Sequence, residues 1–126
     1  MDSATFHAAV YEVIRQIPHQ KVTTYGHVAK LIGMPRHSRH VGQALKFLPG
    51  GQNNQVPWHR VVSSTGAISS RGPGTQWGLR QRQALEAEGV EVQDSRDGGD
   101  GRVSLATWGW FPEVGSIDID ALGDLN

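Results

Sequence analysis

Apolar side chains recur at Phe6, Val10, Val13, Ile14 and Ile17. This three-and-four spacing predicts an amphipathic helix over residues 4–16, stopped by Pro18. Lys21 to Thr24 is a short link rich in β-branched residues, and Thr24 is placed to cap a second helix. The apolar stripe of that helix is Tyr25, Val28, Ala29 and Ile32, with Gly33 where a glycine ends a helix. After a Met-Pro turn, a third helix is predicted from Ser38 to Phe47. Its inner face is Val41, Ala44, Leu45 and Leu48, and Arg39, His40, Gln43 and Lys46 point elsewhere.

Two short helices joined by a tight turn, the second of them basic, outline a helix-turn-helix. The loop PGGQNNQ follows. The run WHRVVSSTGAISS alternates around a Thr-Gly turn and predicts a β-hairpin, which in this position would be a wing. LRQRQALEAEGVEV reads as a last helix ending near Gly89, then a strand. The aromatic cluster Thr107 to Phe111 is expected to fold back onto the domain. The reading is a mostly α, winged helix-turn-helix domain over residues 1–112, followed by an acidic, disordered tail over 113–126.

Length and charge narrow the function. The 126 residues suit one modest core. No apolar run is long enough to cross a bilayer, and the N-terminus lacks the pattern of a signal peptide, so an intracellular protein is expected. The zero net charge hides an asymmetry. Residues 1–90 carry ten basic and four acidic side chains, while residues 91–126 carry two and eight. A basic body with an acidic tail suits a polyanion partner, although a solvated surface with a charged end gives the same count. Zero cysteines exclude disulfides, thiolate metal sites and a thiol nucleophile.

Other chemistries find little support. His37 and His40 are three apart, but catalytic zinc needs three protein ligands, so no metal is expected. Gly72 to Gly74 lacks the lysine and preceding strand of a phosphate loop, and no nucleophile elbow is present. The basic residues Arg36, Arg39, Lys46, Arg60 and Arg71 are candidates for phosphate contact. Arg39, at the start of the third helix, is long enough to enter a groove or fill a gap in the base stack.

KVTTYGHVAKLIG, SRHVGQALK, VPWHRVVSSTGAISSR and LEAEGVEV, in this order, resemble the DNA-binding domain of O6-alkylguanine-DNA alkyltransferases over residues 6 to about 93. The active-site motif of that family is Pro-Cys-His-Arg-Val, and here it reads Pro57-Trp58-His59-Arg60-Val61. The exchange of cysteine for tryptophan resembles the alkyltransferase-like group, which lacks the acceptor thiol and the family's N-terminal domain.

The resemblance implies a recognition helix that enters the minor groove. Arg39 matches the finger that fills the space of an extruded guanine, and Tyr25 the residue that pushes on the phosphate of the target nucleotide. Ser38, Gly42, Gln43, Lys46 and Arg60 fall on the DNA-binding side, with Gly42 and Ala44 small enough for close approach. Pro57, Trp58 and Arg71 line the base pocket, Arg71 over the flipped base. His59 and Glu88 match a pair that activates cysteine in the enzymes, and without the thiol they are read as structural.

The function implied is a non-enzymatic sensor of O6-alkylguanine in duplex DNA. It would flip the nucleotide without a cofactor, act as a monomer and pass the lesion to nucleotide excision repair proteins, in a nucleus or on a bacterial nucleoid. Two other readings stand beside it. One is an enzyme using something other than cysteine. The other is a general winged-helix DNA binder, in which Trp58 is only a core side chain.

Overall fold

A computed structural model describes residues 3–46, 56–68, 77–94 and 101–114. Helix α1, Ser3–Arg15, forms where the apolar spacing predicted it. Phe6, Val10, Val13, Ile14 and Ile17 are all buried. Pro18 follows, and the chain turns sharply through Gln20, whose φ is 67°. Strand β1, Thr23–Thr24, leads directly into helix α2, Tyr25–Leu31. The Thr24 hydroxyl accepts the His27 N–H at 3.1 Å, the side-chain cap expected of threonine here.

Gly33, at φ 82°, closes α2 in a Schellman arrangement. Its N–H donates to the Lys30 carbonyl at 3.0 Å, and the Met34 N–H donates to Ala29 at 2.9 Å. Helix α3, Ser38–Lys46, then packs across α2 and α1 through Val41, Ala44 and Leu45. Leu48 and the loop after α3 lie outside the described residues.

The predicted hairpin forms only in part. Trp58–Arg60 is a 3-10 turn, not a strand. Strand β2, Val61–Val62, pairs in parallel with β1, Thr23 opposite Val61 and Thr24 opposite Val62. A parallel pair needs a crossover, and α2 with α3 supplies it. The turn at Ser63–Gly66 does close, with the Ser63 N–H donating to the Ala67 carbonyl at 3.1 Å. The returning arm, however, bonds elsewhere: Ala67 is bridged antiparallel to Arg102, and the Ile68 N–H donates to Gly101 at 2.8 Å. Alternation marked these residues as extended, but it carries no information about a partner so distant in sequence.

Helix α4, Trp77–Ala87, starts two residues before the predicted run and ends in a second Schellman arrangement at Gly89 (φ 93°). The segment after it is extended, and Gln93 is bridged to Arg102. The aromatic stretch folds back as expected. It forms one turn, α5, Leu105–Trp108, and Val22 is gripped on both sides. Its N–H donates to Trp108 at 2.9 Å, and its carbonyl accepts from Trp110 at 2.7 Å. The acidic tail beyond Val114 lies outside the described residues.

The β1–β2 ribbon divides the interior. One cluster joins α1, α2 and α3 to Val56, Trp58 and Val61. The other joins Val62 to Val22, Ile68, Leu85, Val90, Val92 and Val103. Adjacent strand residues point to opposite faces, so Val61 and Val62 serve different clusters.

Gly66 sits at φ 85°, and a Cβ there would lie 2.2 Å from the Val103 carbonyl oxygen. Gly66→Ala is expected to destabilise the fold by about 2 kcal/mol or more, because the backbone must shift as well as accept strain. Urea titration followed by circular dichroism checks this.

Candidate nucleic-acid interface

The site is built on the helix-turn-helix and on the turn that carries Trp58. Ser38, Arg39 and Gln43 are exposed along α3, and Lys46 is its last residue. Arg39 forms no ion pair with a carboxylate among the described residues. Tyr25 is the first residue of α2 and packs half-buried against the first core cluster. Its ring faces Gly42 of α3, where a Cβ would lie 4.0 Å from Cε1. The fold therefore brings Tyr25 and Gly42 together at the crossing of the two helices. Arg71 lies outside the described residues.

Helix α3 is held from behind by α1. The Tyr11 hydroxyl donates to the Ala44 carbonyl at 2.6 Å. This bond ties the described end of α3 to α1. Burial raises the pKa of the Tyr11 phenol, which keeps it a donor.

The turn Pro57–Arg60 is fixed from several directions. The Trp58 N–H donates to Val56 at 2.7 Å, and the Arg60 N–H donates to Pro57 at 3.0 Å. Gln81 of α4, 3 % exposed, donates its side-chain amide to the carbonyls of His59 (3.1 Å) and Val61 (2.7 Å). Trp58 is 9 % exposed, within the first core cluster and edge-on to His59. It is thus a core side chain as well as a candidate pocket wall.

Arg60 is held by partners within the protein. Its Nε and Nη2 donate to both oxygens of Glu88, at 2.8–3.1 Å, and its Nη1 donates to the Ile17 carbonyl at 2.8 Å. With 16 % of its side chain exposed, this guanidinium is engaged inside the protein. The physical reason is the buried carboxylate, which would be uncompensated without it.

Glu88 is the hub of this network. It follows α4, and it also accepts from His59 Nε2 and from the Gln20 N–H, the latter at 3.0 Å. Burial alone would raise its pKa, but hydrogen bonds from Arg60, His59 and the Gln20 backbone outweigh burial and hold it at about 2. Burial lowers the pKa of His59, and its hydrogen bond to Glu88 opposes that only in part. The neutral imidazole donates its Nε2 proton to the carboxylate. His59 and Glu88 were read as structural, and the geometry gives them that work.

Gln81 and Tyr11 were missed by reading the sequence. Gln81 had a signal: it lies one helical turn before the buried Leu85, a polar side chain on the inward face. Tyr11 had none, since a helix–helix hydrogen bond depends on packing. Among the described residues no group of three or more His, Cys, Asp or Glu could hold a metal ion, and no helix is long and apolar enough to cross a membrane.

Taken together, these elements define a winged helix-turn-helix of the DNA-binding class, helix-rich with a small sheet. The family described as 6-O-methylguanine DNA methyltransferase, DNA binding domain, matches residues 5–90. A DNA base-flipping protein of Vibrio parahaemolyticus is 44 % identical over 107 residues, covering 85 % of this chain and 97 % of that one. Alkyltransferase-like protein 1 of Schizosaccharomyces pombe is 42 % identical over 109 residues, covering 85 % and 95 %. The crystal structure of S. pombe Atl1 with damaged DNA containing O6-carboxymethylguanine superposes with a TM-score of 0.81 at 40 % identity, over 89 % of this chain and all of that one. The O6-methylguanine methyltransferase of Mycobacterium tuberculosis gives 0.56 at 32 % identity, over 66 % and 47 %. The chain belongs to the O6-methylguanine-DNA methyltransferase family, in its alkyltransferase-like group.

The Glu88 network makes stability depend on pH in a defined sense. Glu88 has a folded pKa below its ordinary 4.5, so its contribution is complete above pH 4.5 and is lost as pH falls toward 2. His59 also has a folded pKa below its ordinary 6.5, so protonating it opposes folding in the same direction. Glu88→Gln is expected to cost about 3 kcal/mol at pH 7, the scale for removing one partner of a buried ion pair. It is also expected to flatten the loss of stability between pH 4.5 and 2. Urea midpoints at pH 7, 4.5 and 2.5 for both proteins check this.

Proposed function

We propose that this protein binds duplex DNA containing O6-alkylguanine, turns the damaged nucleotide out of the helix and holds it without removing the alkyl group. The observation that supports this most directly is Trp58. The scaffold around the family's acceptor position is intact, built from Gln81, His59, Arg60 and Glu88, yet an indole occupies the position of the thiol. An indole offers a flat apolar wall and no nucleophile, whereas alkyl transfer needs a thiolate.

The remaining residues divide the work of flipping. Extruding a base costs about a few kcal/mol, less for a damaged base that pairs poorly. Arg39, exposed on α3 and free of carboxylate partners among the described residues, enters the stack and fills the gap. Tyr25 presses on the phosphate of the target nucleotide, and Gly42 beside it lets α3 approach closely. Pro57 and Trp58 form the pocket, and Arg71 covers the flipped purine with about 1–2 kcal/mol of cation–π attraction. Ser38, Gln43 and Lys46 contact the groove and backbone. Residues 1–112 act as one monomeric domain, and the acidic segment 113–126 stays off the DNA.

The named relatives support this reading, since they are described as base-flipping or alkyltransferase-like proteins and one is seen with O6-carboxymethylguanine DNA. Delivery to nucleotide excision repair proteins, inside a nucleus or on a nucleoid, completes the proposal and rests on the family resemblance.

Two duplexes that differ only in one O6-methyl group provide the test. The protein is expected to bind the methylated duplex much more tightly, and the DNA recovered afterwards is expected to retain the methyl. Equal affinity would leave a general DNA binder, and loss of the methyl would mark an enzyme. Arg39→Ala and Tyr25→Ala are each expected to weaken lesion binding at least ten-fold, about 1.4 kcal/mol, with unchanged circular dichroism. Normal lesion binding by both variants would sink the flipping assignment.

A further inference from the structure

His37 and His40 stand at the start of α3 with ring centroids 4.9 Å apart. Beneath both lies Phe6 of α1, 7 % exposed, with its centroid 6.2 Å from each imidazole. Phe6 gives both rings an apolar floor. Arg36 precedes His37 and Arg39 precedes His40 in the chain, and both arginines are exposed. From α1 the titratable neighbours are His7, 6.4 Å from Phe6, and Tyr11, 6.2 Å from His7, and Glu12 of that helix pairs with Arg15. The ion pairs among the described residues draw on Glu12, Glu86, Glu88 and Asp94, and none reaches Arg36, His37, Arg39 or His40. This corner therefore gathers cationic and cation-forming side chains with no counter-ion among the described residues.

The two histidines are not equivalent. The Nδ1 atom of His37 is buried without a hydrogen-bond partner. His40 is exposed and meets Phe6 edge-to-face, near the outer range at which an aromatic ring attracts a cation. We propose that His40 is a proton-dependent contact for a DNA backbone phosphate next to Arg39, while His37, packed on Phe6, serves as its spacer. The proposal rests on the reading that α3 faces DNA. A phosphate against His40 favours the imidazolium, so affinity is enhanced at low pH and the enhancement is lost as pH rises.

The test measures binding to the undamaged and the O6-methylguanine duplex at pH 8 and pH 6 over a salt series. The full-length protein is expected to bind both duplexes roughly three- to five-fold more tightly at pH 6, the scale of one partly solvated ion pair. Its plot of log affinity against log salt is expected to be steeper at pH 6 by about 0.9, one additional phosphate contact. His40→Gln, at an exposed position, is expected to lose both effects, and His37→Gln to keep them. A pH response that survives in His40→Gln, or a wild-type protein with none, would overturn the proposal. Preference for the lesion at pH 8 reports separately on the proposed function. If that preference is absent while the pH response persists, the phosphate contact stands and the lesion reading falls.

Discussion

A single buried carboxylate organises this molecule. Glu88, just past the end of α4, collects donors from three other places in the chain: the Gln20 N–H in the turn after α1, the imidazole of His59 and the guanidinium of Arg60. A negative charge at a helix C-terminus is unfavourable toward the helix dipole, and burial adds a desolvation cost. The arrangement persists because Arg60 supplies a bidentate partner that is itself anchored on the Ile17 carbonyl. The result is a clamp that locks the 3-10 turn to both the N-terminal helix and the last long helix. Gln81 repeats the effect from the other side by binding the carbonyls of His59 and Val61.

This rigidity is spent on Trp58. It holds the indole nearly buried, 9 % exposed. A side chain fixed in this way has little conformational entropy left to lose on contact with a partner. The same clamp turns Arg60 inward, although its place in a basic motif suggests an outward-facing side chain. A side chain that neutralises a buried charge is not at liberty to leave it.

The recognition helix is governed by a separate constraint. Helix α3 is short and basic, and its inward face is only Val41, Ala44 and Leu45. It keeps its place because α1 lies across its back, with Phe6 under His37 and His40 and Tyr11 bonded to Ala44. Small residues at Gly42 and Ala44 allow close packing on both sides. Exposed arginines can then face outward without disturbing the core.

Sequence alone determined the local elements and the family. The spacing of Phe6, Val10, Val13 and Ile17 is a property of one helix, and the Thr24 cap and the Gly33 and Gly89 ends are properties of a few adjacent residues. Such features are legible because the interactions that make them span four residues or fewer. The exchange of cysteine for Trp58 was equally plain. Tertiary structure decided what depends on distant partners. Val61 and Val62 read as half of a hairpin but pair with Thr23 and Thr24, nearly forty positions earlier, because a strand's partner is chosen by packing and not by its own alternation. Arg60 read as a phosphate ligand and became the counter-ion of Glu88, since only the fold brings those two charges within 3 Å. Basic residues look alike in sequence, and burial separates those that serve the fold from those left for a partner.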